Sequence, residues 1–91
     1  MERTAEKVLE IKNKLGLHAR AANMIVQIAN RYRSEITLEK DGVVANGKSI
    51  MGLLMLAAGK GARVLVRATG EDAEEAVEEI AKLVEGKFGE E

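Results

Sequence analysis

Cysteine is absent from this 91-residue chain, which excludes disulfides and thiolate metal sites and suits a reducing, cytoplasmic setting. Aromatic residues are nearly absent too. With only Tyr32 and Phe88, the core is expected to be built from Val, Ile, Leu, Met and Ala. No aromatic pair exists for stacking nucleic-acid bases, so nucleic acid is not an expected partner. Long apolar runs are missing as well: Ile50 to Ala58 is the longest, Gly52 lies inside it, and it falls far short of the roughly 20 residues that span a bilayer. The opening MERTAEKVLE is too charged for a secretory signal. His18 is the only histidine, and without Cys or an ordered carboxylate cluster beside it, neither a metal nor another cofactor is expected.

What remains describes one small globular unit, residues 1–91. Its 46% hydrophobic content suffices for a two-layer core but leaves little room for a deep substrate cavity, so a surface site is expected. The net charge of −1 hides an asymmetry: residues 71–91 carry nine acids and two bases, whereas residues 1–70 carry twelve bases and six acids. An acidic helix at the end of the chain would leave the rest basic, a surface suited to acidic partners or phosphate.

Periodicity divides the chain into seven elements. Val8, Leu9 and Ile11 form a first strand ended by Gly16. Ala19 to Tyr32 has apolar residues at helical spacing opposite Arg20, Asn23, Gln27, Asn30 and Arg31, as in an amphipathic helix. Ser34 to Lys40 alternates, Asp41-Gly42 is a strong hairpin signal, and Val43-Val44-Ala45 returns. Ser49 is placed to cap a short apolar helix from Ile50 to about Ala57, stopped by Gly59 and Gly61. Arg63 to Thr69 reads as a buried strand. Asp72 and Glu75 have capping-box spacing at the start of a last helix, whose buried stripe is Ala73, Val77, Ile80 and Val84 and whose end is Gly86. The order β-α-β-β-α-β-α implies an α+β fold, an antiparallel or mixed sheet with its helices on one face. A ferredoxin-like sandwich and related open-faced sandwiches fit equally.

His18 falls at the entrance of the first helix. Backbone N–H groups there lack internal partners and face the positive end of the helix dipole, so the amides of Ala19 and Arg20 would suit a phosphate. Gly16 permits a tight approach, and Ala19 leaves the imidazole uncovered. Imidazole is nucleophilic near neutral pH, and Arg20 supplies a planar cation for transferring oxygens. From position alone, a lone histidine near a helix end is more often a capping or merely exposed residue.

Leu15-Gly16-Leu17-His18-Ala19-Arg20 followed by Ala22 resembles the active-site segment of HPr, the histidine-containing phosphocarrier family of the sugar phosphotransferase system. Lys48-Ser49-Ile50-Met51-Gly52 resembles the second signature of that family, and Gly59-Lys60-Gly61-Ala62 the turn before its last strand. The resemblance runs from about Val8 to Val84. It implies an open-faced β-sandwich: a four-stranded antiparallel sheet with three helices on one face. It further implies that His18 accepts a phosphoryl group on Nδ1 from enzyme I and passes it to enzyme IIA, with Arg20 assisting, as a monomeric carrier and not a stand-alone enzyme. Ser49 would be the regulatory site of an HPr kinase/phosphorylase.

Met24, expected on the exposed side of the first helix, would join Ile50, Met51 and Leu54 in a partner-docking patch, while Leu53 and Leu56 turn inward. Ala21 stands where the family usually has proline, and Gln27 and Asn30 where it often has lysine. The alternatives are a nitrogen-branch or regulatory paralogue and, outside the family, a ferredoxin-like regulatory module that binds a small ligand.

Overall fold

The computed structural model describes residues 2–90. Along the chain run β1 (Arg3–Glu10), α1 (Ala19–Ala29), β2 (Glu35–Lys40), β3 (Val43–Asn46), α2 (Ile50–Leu54), β4 (Arg63–Gly70) and α3 (Ala73–Glu85), then a 3-10 turn at Lys87–Gly89. The four strands make one antiparallel sheet in the order β1-β4-β2-β3. This is the open-faced α+β sandwich expected. β4 is interior, paired with β1 from Arg3↔Gly70 to Glu10↔Arg63 and with β2 from Glu35↔Thr69 to Glu39↔Leu65.

Strand alternation decides which face is covered. Leu9, Ile36, Leu38, Val64, Val66 and Ala68 are buried beneath α3, which packs across β1 and β4 with α1 beside it. On the opposite face Val8 is exposed and Arg67 pairs with Glu6 at 2.8 Å. In α1 the inward residues are Ala21, Ala22, Ile25, Val26 and Ala29; the alanines allow close approach, and truncating the fully buried Ile25 would cost about 2–5 kcal/mol. The hairpin between β2 and β3 turns through Asp41 and Gly42 at φ +50° and +82°, the pair of positive values that a two-residue turn of right-handed twist requires.

The structure corrects several element ends. β1 begins at Arg3, well before Val8, because its pairing with β4 continues to Gly70. Helix α1 stops at Ala29, and Tyr32 lies in the following turn. Helix α2 ends at Leu54 rather than near Ala57; Ala57, at φ +51°, turns the chain before either glycine is reached. Asp72 sits at the start of α3 but makes no side-chain cap bond. Its carboxylate instead accepts from the Arg33 N–H at 2.9 Å, the Ser34 N–H at 3.0 Å and the Ser34 hydroxyl at 2.5 Å, tying the loop before β2 to α3.

The core also departs from expectation. Phe88 is fully buried, whereas Met51 and Met55 are exposed and Met24 is half-buried against the core. The methionines at the surface have been replaced inside by one ring brought from beyond α3.

Ionisation contributes where a loop is tied. Hydrogen bonds from the Ser34 hydroxyl and the Arg33 amide hold the Asp72 carboxyl below its ordinary range. A depressed carboxyl contributes stability above its unfolded-state value, and that contribution is lost as pH falls through the folded one. Tyr32 is the converse: its hydroxyl donates to Glu79, which pushes the phenol up to about 12. Its contribution is complete below the ordinary phenol value and fades as pH rises towards 12. Asp72→Asn is therefore expected to lower the melting temperature at neutral pH and to flatten the acid limb of a melting temperature–pH profile, leaving the alkaline limb unchanged.

Candidate functional site

The segment leading to His18 is held by backbone bonds to the chain before β4. The Ile11 N–H donates to the Ala62 carbonyl at 2.9 Å, the Gly61 N–H to Ile11 at 2.7 Å and the Leu17 N–H to Ala58 at 2.8 Å. Gly16, at φ +67°, lies so close to that chain that a Cβ would stand 2.6 Å from the Ala58 carbonyl oxygen and 2.8 Å from the Gly59 Cα. Only glycine meets both conditions. Leu17 is buried, which sends the next side chain outward.

His18 occupies the N-cap position of α1 in extended conformation, φ −84° and ψ 179°, and its side chain makes no capping bond. Its carbonyl accepts from the Ala22 N–H at 2.8 Å. The amides of Ala19, Arg20 and Ala21 thus begin the helix without a side-chain cap, and no acid occupies the first turn. Ala19 and Arg20 are exposed, while His18 is half-buried. The first-turn amides of α1 and the Arg20 side chain both lie at this junction.

A carboxylate reaches the histidine from the far end of the chain. His18 Nε2 lies 2.6 Å from Glu90 Oε2, which also accepts from the Arg20 guanidinium at 3.2 Å. The other carboxylate oxygen accepts from the Asn13 side-chain amide at 3.0 Å. Asn13 is itself fully buried and donates to the Gly16 carbonyl at 2.8 Å. The Asn13 amide first, then His18, holds the Glu90 carboxyl below its ordinary range, so it is ionised at neutral pH. Lys87, Phe88 and Gly89 all have positive φ, at 58°, 56° and 75°, and lead the chain to Glu90, which meets Asn13 and His18. Two non-glycine residues in that region cost on the order of 1–2 kcal/mol each. Burying Phe88, whose loss to alanine costs about 3–5 kcal/mol, is large enough to offset this.

Asn13, Phe88 and Glu90 carried no sequence signal: Glu90 is one acid among many near the end, seventy-two residues from His18. The second predicted locus is as expected. Ser49 is the N-cap of α2, and its hydroxyl accepts from the Gly52 N–H at 3.0 Å. Of the predicted docking residues, Met51 is well exposed and Ile50 borderline, whereas Met24 and Leu54 are half-buried against the core. Met24 is therefore less accessible than predicted. Leu53 and Leu56 point inward as predicted; Leu15 and Met55, at 70% and 75% exposure, are the more prominent apolar side chains. A shallow pocket lined by Arg33, Ser34, Ile36, Thr37, Asn46 and Lys48 contains none of the predicted residues.

Residues 5–86 match the family described as "PTS HPr component phosphorylation site". The chain belongs to the HPr family. It is an HPr-family phosphocarrier protein, and the ferredoxin-like ligand-binding alternative falls away. The chain is 49% identical over 82 residues to phosphocarrier protein HPr of Neisseria meningitidis, covering 90% of this chain and 92% of that one. It is 48% identical to the HPr-like protein Crh of Bacillus subtilis, over 88% of this chain and 94% of that one. To phosphocarrier protein NPr of Shewanella violacea it is 41% identical, over 93% of each. The crystal structure of HPr-C-His from Thermoanaerobacter tengcongensis superposes with a TM-score of 0.92 at 48% identity, over 96% of this chain and 98% of that one. HPr of that organism is also known as a dimer. Among the described residues of this HPr-family chain, no helix is long and apolar enough to cross a membrane.

Gly16→Ala is expected to cost more than about 1–2 kcal/mol, the penalty of positive φ alone, because the carbonyl of Ala58 must also move; urea unfolding measures it. Phe88→Ala is expected to lose about 3–5 kcal/mol and to release Glu90 from His18, seen as loss of chemical-shift coupling between residues 88–90 and the His18 ring.

Proposed function

We propose that His18 is the phosphoryl acceptor of this carrier, taking the group on Nδ1 from enzyme I and passing it to enzyme IIA proteins of the sugar phosphotransferase system. The observation that carries this reading is the junction at α1: a partly exposed imidazole at the N-cap that does not cap, directly before uncapped amides and an exposed guanidinium. As the imidazole nitrogen attacks in line, negative charge on the transferring oxygens is met by the amides of Ala19 and Arg20 and by the Arg20 side chain. The site is shallow, so each protein partner supplies the rest of the apparatus. Ile50 and Met51, with the margins of Met24 and Leu54, offer apolar contact near it. The same reading places the protein in the cytoplasm, acting as a monomer and as one unit over residues 1–91.

Ser49 is the proposed target of an HPr kinase/phosphorylase. Its hydroxyl already faces the first turn of α2, where added negative charge is favoured, so a phosphate there would alter the docking surface and leave the helix intact. Ala21 is buried in the first turn of α1, where its N–H has no helical partner to lose. The absence of the usual proline loosens the junction without removing a required group. The likeness to a phosphocarrier named NPr supports a second reading, a nitrogen-branch carrier with the same histidine chemistry and different downstream partners.

Incubation with phosphoenolpyruvate and enzyme I is expected to yield an acid-labile, base-stable phosphoprotein, with no uptake by His18→Ala. Arg20→Ala is expected to retain uptake at a rate lower by about a hundredfold, the scale for losing one oriented donor. Unchanged mass of the parent protein, under conditions that phosphorylate a control carrier, would exclude the reading. An HPr kinase is expected to modify the parent and not Ser49→Ala.

A further inference from the structure

The contact that the sequence did not foretell bears on which nitrogen of His18 reacts. An ionised carboxylate only accepts hydrogen bonds, so the 2.6 Å approach of Glu90 Oε2 requires Nε2 to carry the proton, leaving the lone pair of a neutral ring on Nδ1. No side-chain hydrogen bond reaches Nδ1 among the described residues. The carboxylate is itself fixed from its other side by Asn13, a buried amide anchored on the Gly16 carbonyl, and along its edge by Arg20. The result is a chain of contacts, Asn13 to Glu90 to His18, of the kind by which a carboxylate fixes the tautomer and orientation of a functional imidazole.

We propose that Glu90, oriented by Asn13, is a positioning residue that holds His18 as the Nε2–H tautomer and thereby presents Nδ1 to the incoming phosphoryl group. The inference rests on the proposed acceptor role of His18. In the transfer the Nδ1 lone pair forms the N–P bond, while the bond from phosphorus to the donor breaks and its electron pair leaves with the donor. The proton on Nε2 stays in place, so the ring acquires positive charge, which the Glu90 carboxylate offsets at Nε2. Arg20, shared between Glu90 and the transferring oxygens, keeps the two negative groups apart. A half-turn of the ring would put Cε1 where Nε2 stands and take the ring N–H away from Glu90 Oε2; the carboxylate opposes that rotation because the 2.6 Å contact exists only in the observed orientation.

The test uses the full chain with its histidine labelled with nitrogen-15, as the parent, Glu90→Ala, Glu90→Gln and Asn13→Ala. Two observations are made: the ring nitrogen signals of the neutral imidazole and the rate of phosphoryl uptake from enzyme I. Glu90→Ala is expected to slow uptake about tenfold, within the range for removing such a supporting contact, and to move the ring signals from a single Nε2–H form towards averaging. Glu90→Gln, which keeps an acceptor without the charge, is expected to fall between Glu90→Ala and the parent, and Asn13→Ala to follow it. Equal or faster uptake by Glu90→Ala overturns the proposal, faster uptake marking the carboxylate as an occupant that phosphate must displace. Unchanged ring signals in Glu90→Ala overturn it as well. Failure of the parent itself to take up phosphate overturns the acceptor reading beneath it, and is recognised because it precedes any comparison of variants.

Discussion

The site exists because β4, late in the sequence, is paired on both sides. Its ladder with β1 lays the residues after Glu10 beside the residues before Arg63, and the bonds from Ile11, Gly61 and Leu17 then stitch the two connecting segments together. Gly16 lies in the narrow gap between them. Any backbone that filled that gap would displace the start of α1, and with it the direction in which His18 leaves the chain. The chemistry at the surface therefore depends on a strand pairing whose inward residues, Val64, Val66 and Ala68, are wholly apolar and buried.

Two kinds of charge meet at the histidine, the amides that open a helix and a carboxylate from far along the chain. The first turn of α1 has no capping side chain and contains no acid of its own. The acid that does arrive, Glu90, contacts the ring nitrogen and Arg20 and is steadied by a buried amide. Delivering it requires three successive residues of positive φ, a conformation that the burial of Phe88 offsets. An interaction of the core thus fixes a charge at the surface.

Much of this was legible in the sequence because the signals are local. Helical spacing marked the buried stripe of α3, Asp41-Gly42 marked a turn that requires two positive φ values, and Ser49 marked a cap that forms. The motif around His18 was likewise contiguous, and its junction between strand and helix followed from Gly16 and the periodicity after it. Element ends were less legible, since they are set by partners: β1 extends as far as β4 accompanies it, and α2 ends at Leu54, before Ala57 turns the chain at positive φ and before either glycine. Asp72 has a capping-box neighbour in Glu75, yet its carboxylate is taken by Arg33 and Ser34, donors that local spacing does not reveal.

By itself, the sequence determined the element order, the single exposed sheet face, the histidine at a helix start and the cation beside it, because each depends on neighbours within a few turns of the chain. Only the tertiary structure decided that the lone phenylalanine belongs to the core, that Met24 is half-covered, and that Asn13 and Glu90 meet at His18. Those depend on contacts between residues tens of positions apart, which form only once the sheet has closed around β4 and α3 has been laid across it. No periodicity or motif encodes which of the many acids near the end of the chain will reach the ring.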